Sequence, residues 1–457
     1  MSIKTRCILN PSQSLSQLGS PGQGLYFAAE ALQGILGEIA LADQPATLYF
    51  CLPYQLPEAE QSPQFIAFTW PYDEFPPACA RAPLADWQRG LASCFGAFVF
   101  SQQAARAVRK LMGNDYPVQV IPAQPAERFA ALCPDGGMTP HNRSRLLMFH
   151  GQLLDSPRIG LSVDGLAQRE PEPIPEPAAY SPPNLRERLD LTRQLARNWW
   201  HEAITSYLQK PLLEPETLPP PAPKVPLPQR LKLYGTVYTC VLRAEDEHFR
   251  WADMLSAFCL TFRDEPNVTL VLKFTHHDET SGVIPLLTVL SRLSPFRCRV
   301  VAINAFLETD EYAALIAASD YLIQASEAEA SALTAQEFLS AGRPVIGPAY
   351  GALADWLTPD NAFLVTGDLQ PTHWVGDVDK QLHQRALRLN WESLCQALAQ
   401  SHHIAQQSPE LYRSKSLAAR DGMRTRASTA QIRELLRGFF AQTLGTQERV
   451  GAAQVAP

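Results

Sequence analysis

The chain has 457 residues, enough for two or three domains that each bury a hydrophobic core. Its 46% hydrophobic and 19% charged residues are typical of globular proteins, and its net charge of −7 without any basic run argues against nucleic acid as a partner. The odd number of cysteines, 9, excludes a complete disulfide framework and favours reduced thiols in the cytosol. No signal-peptide pattern follows the first residues, and no stretch has the apolar length of a membrane-spanning helix.

Residues 1–128 alternate apolar strand patterns with helical patterns, which predicts a domain with a mostly parallel sheet. The strand candidates include ATLYFCL, PQFIAFTW, GAFVF and PVQVIP. Gly22 and Gly24 precede a helical pattern, and such glycines let backbone N–H groups approach a phosphate. The pair lacks the third glycine of a dinucleotide-binding fingerprint, so an ordinary loop is an equal alternative.

Residues 129–230 interrupt this alternation and are predicted to be a linker. Two proline-rich tracts, PEPIPEPAAYSPP and PLLEPETLPPPAPKVPLP, favour extended, semi-rigid conformations. Between them, residues 184–209 have apolar positions on one helical face, which predicts an amphipathic helix. One interpretation packs this helix on its own protein, and the other has Trp199 and Trp200 docking a protein partner.

Residues 231–400 return to alternating strands and helices, and their near-continuous apolar runs suit strands covered on both faces. Residues 401–457 are predicted to be closing helices and a tail. Two such domains in one chain place their strand ends across a cleft, where ligands bind. The predicted fold class is therefore α/β, with two doubly wound Rossmann-like domains facing a cleft and a proline-rich helical insertion between them.

Residues 324–348, QASEAEASALTAQEFLSAGRPVIGP, combine a strand end, a loop, a helix and the next strand. Glu329 lies in the loop, and Glu337 follows eight positions later near the start of the helix. An acidic residue at a strand's carboxyl end, before a helix that faces the same crevice, indicates a binding site for a polar ligand. Each carboxylate also has a structural interpretation: Glu329 as a solvated loop residue, and Glu337 as part of a capping box that begins at Thr334.

The spacing Glu329-x7-Glu337, followed by FLSAGRPVI, resembles the EX7E signature of the GT-B, family-4-type retaining glycosyltransferases. The likeness extends through residues 237–278 and through ALADWLTPDNAFLV, and more loosely through IAFTWPYDEFP and AFVFSQQAARAVRKLMGNDYPVQVIP. It covers most of the chain outside residues 129–230. It is strongest to bacterial enzymes that build surface polysaccharide or glycoconjugates.

This resemblance implies that a hexose moves from a UDP- or GDP-linked sugar to a glycan, lipid-linked or protein acceptor, with retention and without a metal or other cofactor. It implies that the second domain holds the donor and the first holds the acceptor. A cytoplasmic location follows, with peripheral association at the inner membrane as an alternative.

The resemblance also assigns residues to the donor. Glu329 would contact the hydroxyls of the donor sugar, and Glu337 would bind the ribose, because a carboxylate accepts hydrogen bonds from vicinal hydroxyls. The backbone groups that approach sugar and phosphate fall on Ser331, Ala332, Leu333 and Thr334. The dipole of the following helix would stabilise the departing diphosphate.

The chain departs from the family where an arginine and a lysine normally neutralise the diphosphate. In that region it has His248, Phe249 and Arg250, and a phenylalanine cannot replace a cation. Arg243 or Arg250 would act instead, together with Lys273 at the end of VTLVLKF. The alternative for Lys273 is a strand-end lysine that reaches solvent.

Two further departures lie next to the first glutamate: Ala330 replaces the usual glycine and Thr334 the usual proline. A second hypothesis follows, in which the protein has lost donor chemistry and is a scaffold or acceptor-recognition partner of an active transferase. On the acceptor side, Asp73 and Glu74 follow the strand FIAFTW and would orient sugar hydroxyls, unless they belong to an ordinary solvated loop. Residues 276–278, His-His-Asp, do not predict a metal site, because adjacent side chains rarely converge on one ion.

Overall fold

A computed structural model describes residues 4–7, 23–39, 46–57, 63–75, 87–140, 145–158, 185–200, 228–243, 246, 248–274, 282–373 and 383–454. The strands are β1 (Lys4–Cys7), β2 (Thr47–Phe50), β3 (Gln64–Phe68), β4 (Gly96–Val99), β5 (Val118–Val120), β6 (Arg145–His150), β7 (Gln152–Asp155), β8 (Pro228–Leu233), β9 (Thr236–Leu242), β10 (Val268–Phe274), β11 (Arg299–Asn304), β12 (Tyr321–Ile323), β13 (Val345–Gly347), β14 (Ala362–Leu364), β15 (Gly367–His373) and β16 (His383–Leu389). The helices are α1 (Gln23–Gly37), α2 (Trp87–Ala92), α3 (Gln102–Met112), α4 (Glu127–Ala130), α5 (Leu185–Trp200), α6 (Trp251–Thr261), α7 (Val283–Arg292), α8 (Thr309–Ala318), α9 (Leu333–Ser340), α10 (Trp391–Gln407), α11 (Pro409–Ala427) and α12 (Thr429–Gln454).

The chain divides into two compact units, Met1–Gly165 with Pro228–Pro457, and Leu166–Leu227. The described part of the smaller unit is α5, which forms where the sequence predicts an amphipathic helix. Trp200 is 60% exposed on it, while the side chain of Trp199 and the proline-rich tract before the helix lie outside the described residues. Partner docking by this helix therefore stays a prediction. No helix in the described parts of the chain is long and apolar enough to cross a membrane.

The first sheet consists of β1 to β5, all parallel and in chain order. Helices α1 and α12 pack on one face, and α2 and α3 pack on the other. On the α12 side, the rings of Phe98 and Phe439 lie 4.5 Å apart, and those of Phe65 and Phe440 lie 4.8 Å apart. Gly96 permits this approach, because a Cβ there would meet Cζ of Phe439 at 2.6 Å. A helix from the far end of the chain thus completes the core of the first domain.

The second sheet has the order β14-β13-β12-β9-β10-β11-β7. All of its strands are parallel except β7, which pairs antiparallel with β11 at the edge. After contributing the edge strand β7, the chain continues at the central strand β9, builds outward through β10 and β11, and then returns to the other side of β9 with β12. The reversal between β9 and β12 is a topological switch point, and ligands of open α/β sheets bind at the strand ends beside it.

Strands β6 and β7 and the start of β8 come from residues 129–230, which the sequence patterns assigned to the linker. Strand β6 pairs with β8, and β7 extends the second sheet. Arg299 on β11 donates from Nε and Nη2 to the two carboxylate oxygens of Asp155 on β7, each at 2.9 Å. Both side chains are buried, so this bidentate pair anchors the added strand.

The sheets and their helices confirm the predicted α/β class, with one parallel and one mostly parallel sheet that are each covered on both faces. The predicted closing helices are present as α10, α11 and α12. Strands β15 and β16 form an antiparallel hairpin between β14 and α10, which the sequence patterns did not predict.

Candidate functional site

A cavity of about 600 Å³ opens at the carboxyl ends of β9, β10 and β12, beside the reversal of strand order. Its lining comes mainly from the second domain: the segment after β9, the end of β10, the start of α8, and the loop between β12 and α9. Helices α1 and α4, together with Thr69 after β3, contribute the remaining wall. The stretch that the sequence singled out, residues 324–348, therefore borders this cavity.

Glu329 lies in this wall with its carboxylate turned towards its own loop. Its Oε1 accepts hydrogen bonds from the backbone N–H groups of Ala330, Ser331 and Ala332, at 3.1 to 3.3 Å. Its Oε2 accepts one from Nε2 of Gln324 at 2.8 Å. The interpretation as a solvated loop carboxylate is thus wrong, because the side chain is half-buried and bonded on both oxygens.

The loop reaches this geometry through Ala332, the one non-glycine residue of positive φ, at 53°, among the described residues. This left-handed conformation is costly for a residue with a side chain. It turns three successive N–H groups towards one point, where the carboxylate of Glu329 sits. Ala330, which replaces the glycine of the family pattern, has no positive φ, so this backbone does not require glycine there.

Two effects act in opposite directions on the pKa of Glu329. Burial raises the pKa of the carboxyl, while the N–H groups of Ser331 and Ala332 lower it by stabilising the anion. An ionised carboxylate has about four acceptor positions, and Oε2 carries a single bond, so it retains capacity for a hydroxyl donor.

Glu337 is buried, with 6% of its surface exposed, and lines the cavity from one turn inside α9. Its Oε2 accepts a hydrogen bond of 2.7 Å from the hydroxyl of Tyr312 on α8. Burial raises the pKa of Glu337 to about 7, although the hydrogen bond from Tyr312 and the charge of Arg128 both lower it. Its protonation state therefore changes near neutral pH.

The capping-box interpretation of Glu337 is wrong. Helix α9 begins at Leu333, with Ala332 as its N-cap and no side-chain capping bond. Thr334 is therefore the second residue of the helix, and the carboxylate of Glu337 bonds to a neighbouring helix instead of its own cap. The first-turn N–H groups of α9 have no intrahelical acceptor, and Leu333 and Thr334 line the cavity.

Two of the three predicted cations line the cavity. Lys273 is 6% exposed, and its ammonium donates a 2.7 Å hydrogen bond to the carbonyl of Phe274. Burial lowers the pKa of Lys273 to about 8, and no described carboxylate lies within ion-pair distance of it. Arg243 is the second cation, and its Nη2 lies 3.6 Å from Oδ2 of Asp246. A solvent-reaching Lys273 is excluded by its burial.

The third cation, Arg250, is directed elsewhere. Its Nε lies 3.4 Å from carboxylate oxygens of both Glu327 and Asp253, and Arg388 of the hairpin pairs with the same two acids. Arg250 is not among the residues that line the cavity. Because Arg250 and Arg388 share these two acids, the ion pairs connect the segment after β9 to the hairpin.

His248 and Phe249 occupy the region where the family pattern has its cations. Nε2 of His248 and the hydroxyl of Tyr72 are 2.8 Å apart, a hydrogen-bond distance, and Tyr72 also donates to the carbonyl of His373 at 3.4 Å. Phe249 is buried and lines the cavity. This chain thus uses the position to join the two domains and the hairpin, where the family pattern would bind phosphate.

The residues predicted on the first domain lie outside or at the margin of the cavity. Asp73 accepts a 2.9 Å hydrogen bond from Gln103, and Glu74 forms an ion pair with Lys110; neither acid lines the cavity. Gly24 is the second residue of α1, whose next residues reach the cavity wall. Gly22 and residues 276–278 lie outside the described residues.

Tyr312 and Arg128 are among the lining residues that the sequence did not predict. Tyr312 is 25 positions from Glu337, and Arg128 is farther away, so no local spacing connects them. Only the packing of α4 and α8 beside α9 brings the three side chains to one wall. In a sequence, an aromatic residue within a helical pattern looks the same whether it packs in the core or bonds to a carboxylate in a cavity wall.

No protein-family model and no curated protein matches the chain. Among solved structures it is similar to HepE of Anabaena in complex with UDP-glucose, at 12% identity and a TM-score of 0.48, over 98% of this chain and 100% of that one. It is also similar to the α,α-trehalose-6-phosphate synthase of Burkholderia multivorans, at 11% identity and a TM-score of 0.48, over 95% of this chain and 77% of that one. A glycosyltransferase of Rickettsia africae is similar at 11% identity and a TM-score of 0.46, over 97% of this chain and 98% of that one. At these identities and TM-scores, no activity of this chain follows from the matches.

Proposed function

We propose that this protein is a glycosyltransferase that binds a nucleoside-diphosphate sugar in the cavity at the β9/β12 switch point. The observation that carries the proposal is the pairing of two buried groups in one cavity, an ammonium without a described carboxylate partner, Lys273, and a carboxylate, Glu337. A nucleoside diphosphate offers an anion to the first group and a ribose diol to the second. The donor is a substrate, linked to UDP or GDP, and the reaction needs no metal or other cofactor.

The diphosphate would be bound by Lys273, by Arg243 and by the first turn of α9. Because Glu329 occupies the N–H groups of residues 330–332, the phosphate would use those of Leu333 and Thr334. The same groups would stabilise the negative charge that develops as the diphosphate leaves. Arg250 has no part in this step, since its charge is committed to Glu327 and Asp253.

The sugar would lie against Glu329, the proposed catalytic residue. The half of its carboxylate that carries one hydrogen bond, Oε2, would accept a bond from a sugar hydroxyl, while Oε1 holds the loop in shape. Transfer of a hexose with retention to a glycan, lipid-linked or protein acceptor is proposed on the resemblance to EX7E enzymes. The acceptor would approach from the side of the first domain, where Asp73 and Glu74 lie outside the donor cavity.

Calorimetric titration with UDP, GDP and their hexose conjugates tests the donor site. We expect either the UDP or the GDP series to bind to the wild type. Lys273→Met should weaken the binding of the nucleoside diphosphate at least about tenfold, without a comparable effect on the binding of the free nucleoside. Arg292→Ala, an exposed change on α7, is the control that should bind normally. Absence of binding to every nucleotide would overturn the proposal. The anomeric configuration of the product, read by NMR, then decides between retention and inversion.

A second candidate function is a catalytically degenerate subunit that acts as a scaffold or acceptor-recognition partner of an active transferase. Two observations favour it: Glu329 itself fills the anion-binding N–H groups of the loop, and His248 bonds to Tyr72 where a phosphate-binding cation is expected. The double variant Glu329→Gln with Glu337→Gln separates the two functions. A scaffold would retain pathway activity in this variant while deletion of the protein abolishes it, and it would co-purify with the active enzyme.

A further inference from the structure

Helix α4 carries an arginine to the cavity wall at the point where the chain crosses from the first sheet to the second half. The helix is short but firmly attached: the N–H of Ala126 donates to the carbonyl of Ala427 at 2.7 Å, and the carboxylate of Glu127 accepts bonds from the N–H and hydroxyl of Thr429. Phe129 is buried in the core beside α9. Arg128, between these anchors, therefore has a defined position.

The guanidinium of Arg128 faces the cavity without a bonding partner among the described residues. Its Nη1 is buried and makes no hydrogen bond, and no described carboxylate lies within 4 Å. Its Cζ lies 5.5 Å from the centroid of the Phe129 ring, which supports the planar group from one side. A buried N–H donor without an acceptor is costly, so such a group in a cavity wall indicates a ligand acceptor.

Glu337 lies in the same wall, and the two residues are complementary. Tyr312 occupies Oε2 of Glu337, which leaves Oε1 as an acceptor. Arg128 and Glu337 both line the cavity and do not form an ion pair with each other, so a polar group of a ligand in the cavity can contact both. That group must donate to the carboxylate and accept from the guanidinium. A hydroxyl does both, whereas a phosphate next to Glu337 would be repelled.

We propose that Arg128 is a further donor-binding residue, whose Nη1 donates to an oxygen of the ribose 2′,3′-diol while Glu337 accepts from the same diol. This inference rests on the proposed function and adds a residue to it. Arg128 is then the cation of a ribose subsite, distinct from Lys273 and Arg243, which serve the diphosphate. The subsite selects ribonucleotides over deoxynucleotides, because a missing hydroxyl leaves the buried donor and acceptor unpaired.

The test measures binding of UDP and GDP, with their 2′-deoxy and 3′-deoxy forms, to the full-length protein by calorimetry. Wild type should bind the ribonucleotide at least about tenfold more tightly than one of the deoxy forms, a difference of about 1.4 kcal/mol. Arg128→Gln should weaken binding of the ribonucleotide about tenfold and reduce the difference in affinity between the ribonucleotide and the deoxy form. Arg292→Ala removes the same charge from an exposed position on α7 and should change neither value.

The outcomes are separable. If UDP or GDP binds but the wild type accepts both deoxy forms equally well, the ribose subsite is overturned, even if Arg128→Gln fails to fold. If the wild type discriminates and a folded Arg128→Gln discriminates to the same degree, the role of Arg128 is overturned while the proposed function stands. If no nucleotide binds to the wild type, the proposed function and this inference both fail.

Discussion

The hydroxyl of Tyr312 donates a 2.7 Å hydrogen bond to Oε2 of Glu337, joining α8 to α9 in the wall of the cavity. The bond stabilises the ionised carboxylate and lowers its pKa, against the burial that raises it to about 7. Tyr312 thus orients Glu337 and, together with burial and the charge of Arg128, determines the pH range in which the carboxyl is charged. Nucleotide binding is expected to depend on this balance.

Binding of UDP or GDP to the wild type should weaken as the pH falls through about 7, because protonated Glu337 accepts hydrogen bonds from the ribose less well. Tyr312→Phe removes the bond that lowers the pKa of Glu337, so the midpoint should move to higher pH. Calorimetry or fluorescence titration between pH 5.5 and 8.5, a range of about 3 units, measures both midpoints. An unchanged midpoint in Tyr312→Phe would contradict the assignment.

Glu337 should also make folding pH-dependent. Its pKa in the folded protein, about 7, is above the ordinary value of 4.5, so the folded state holds the proton more tightly than the unfolded chain. The free energy of unfolding contributed by this group is therefore greatest below pH 4.5 and declines as the pH rises to about 7. This decline in the free energy of unfolding is worth about 1–3 kcal/mol, and Glu337→Gln should remove it. Urea unfolding at several pH values between 4.5 and about 7 measures the difference. Glu434→Gln, exposed on α12, is a control that should preserve the decline.

Replacing Lys273 by methionine should stabilise the fold or leave it unchanged while it removes diphosphate affinity. The ammonium is buried without a described carboxylate partner, and burial lowers its pKa to about 8. Since the folded pKa is below the ordinary 10.5, the free energy of unfolding from this group rises with pH between about 8 and 10.5. Urea unfolding at two pH values should show this rise in the wild type and not in Lys273→Met. Lys110→Met, which removes an exposed ion pair with Glu74, should retain the rise.

Strand β7 should depend on the buried pair between Asp155 and Arg299. Asp155→Ala leaves the buried guanidinium without its carboxylate, and we expect a loss of about 3–5 kcal/mol in the free energy of unfolding. Arg158 also pairs with Asp155, at 3.3 Å, but its side chain is 64% exposed. Arg158→Ala should therefore cost less than about 1 kcal/mol. Equal effects of the two changes would argue against an anchoring role for Arg299.

Packing of α12 on the first sheet should be sensitive to Gly96. A Cβ at this position meets Cζ of Phe439 at 2.6 Å and the carbonyl oxygen of Pro117 at 3.0 Å, so Gly96→Ala should destabilise by about 1–3 kcal/mol. Gly34→Ala on α1 is the matched control, because no atom lies within 4 Å of its Cβ. That change should be neutral or stabilise by up to about 1 kcal/mol, since alanine favours helix. Thermal unfolding of both variants distinguishes packing from backbone effects.

The sequence by itself determined the α/β class and the location of the candidate site. Near-continuous apolar runs such as β10 and β11 are buried on both faces, and their alternation with helices predicts parallel strands. The two glutamates eight positions apart mark the loop and helix that border the cavity, because strand, loop and helix are neighbours in the chain. These features depend on local pattern, which a sequence contains directly.

Tertiary structure alone decided what those residues contact. The pairing of β7 with β11 and the packing of α12 on the first sheet join segments that are distant in the chain, so no local period predicts them. The left-handed turn at Ala332 directs Glu329 to its own loop, and α8 and α4 bring Tyr312 and Arg128 to Glu337. Burial and hydrogen bonding, which set the charge of each carboxylate, arise only when these elements pack together.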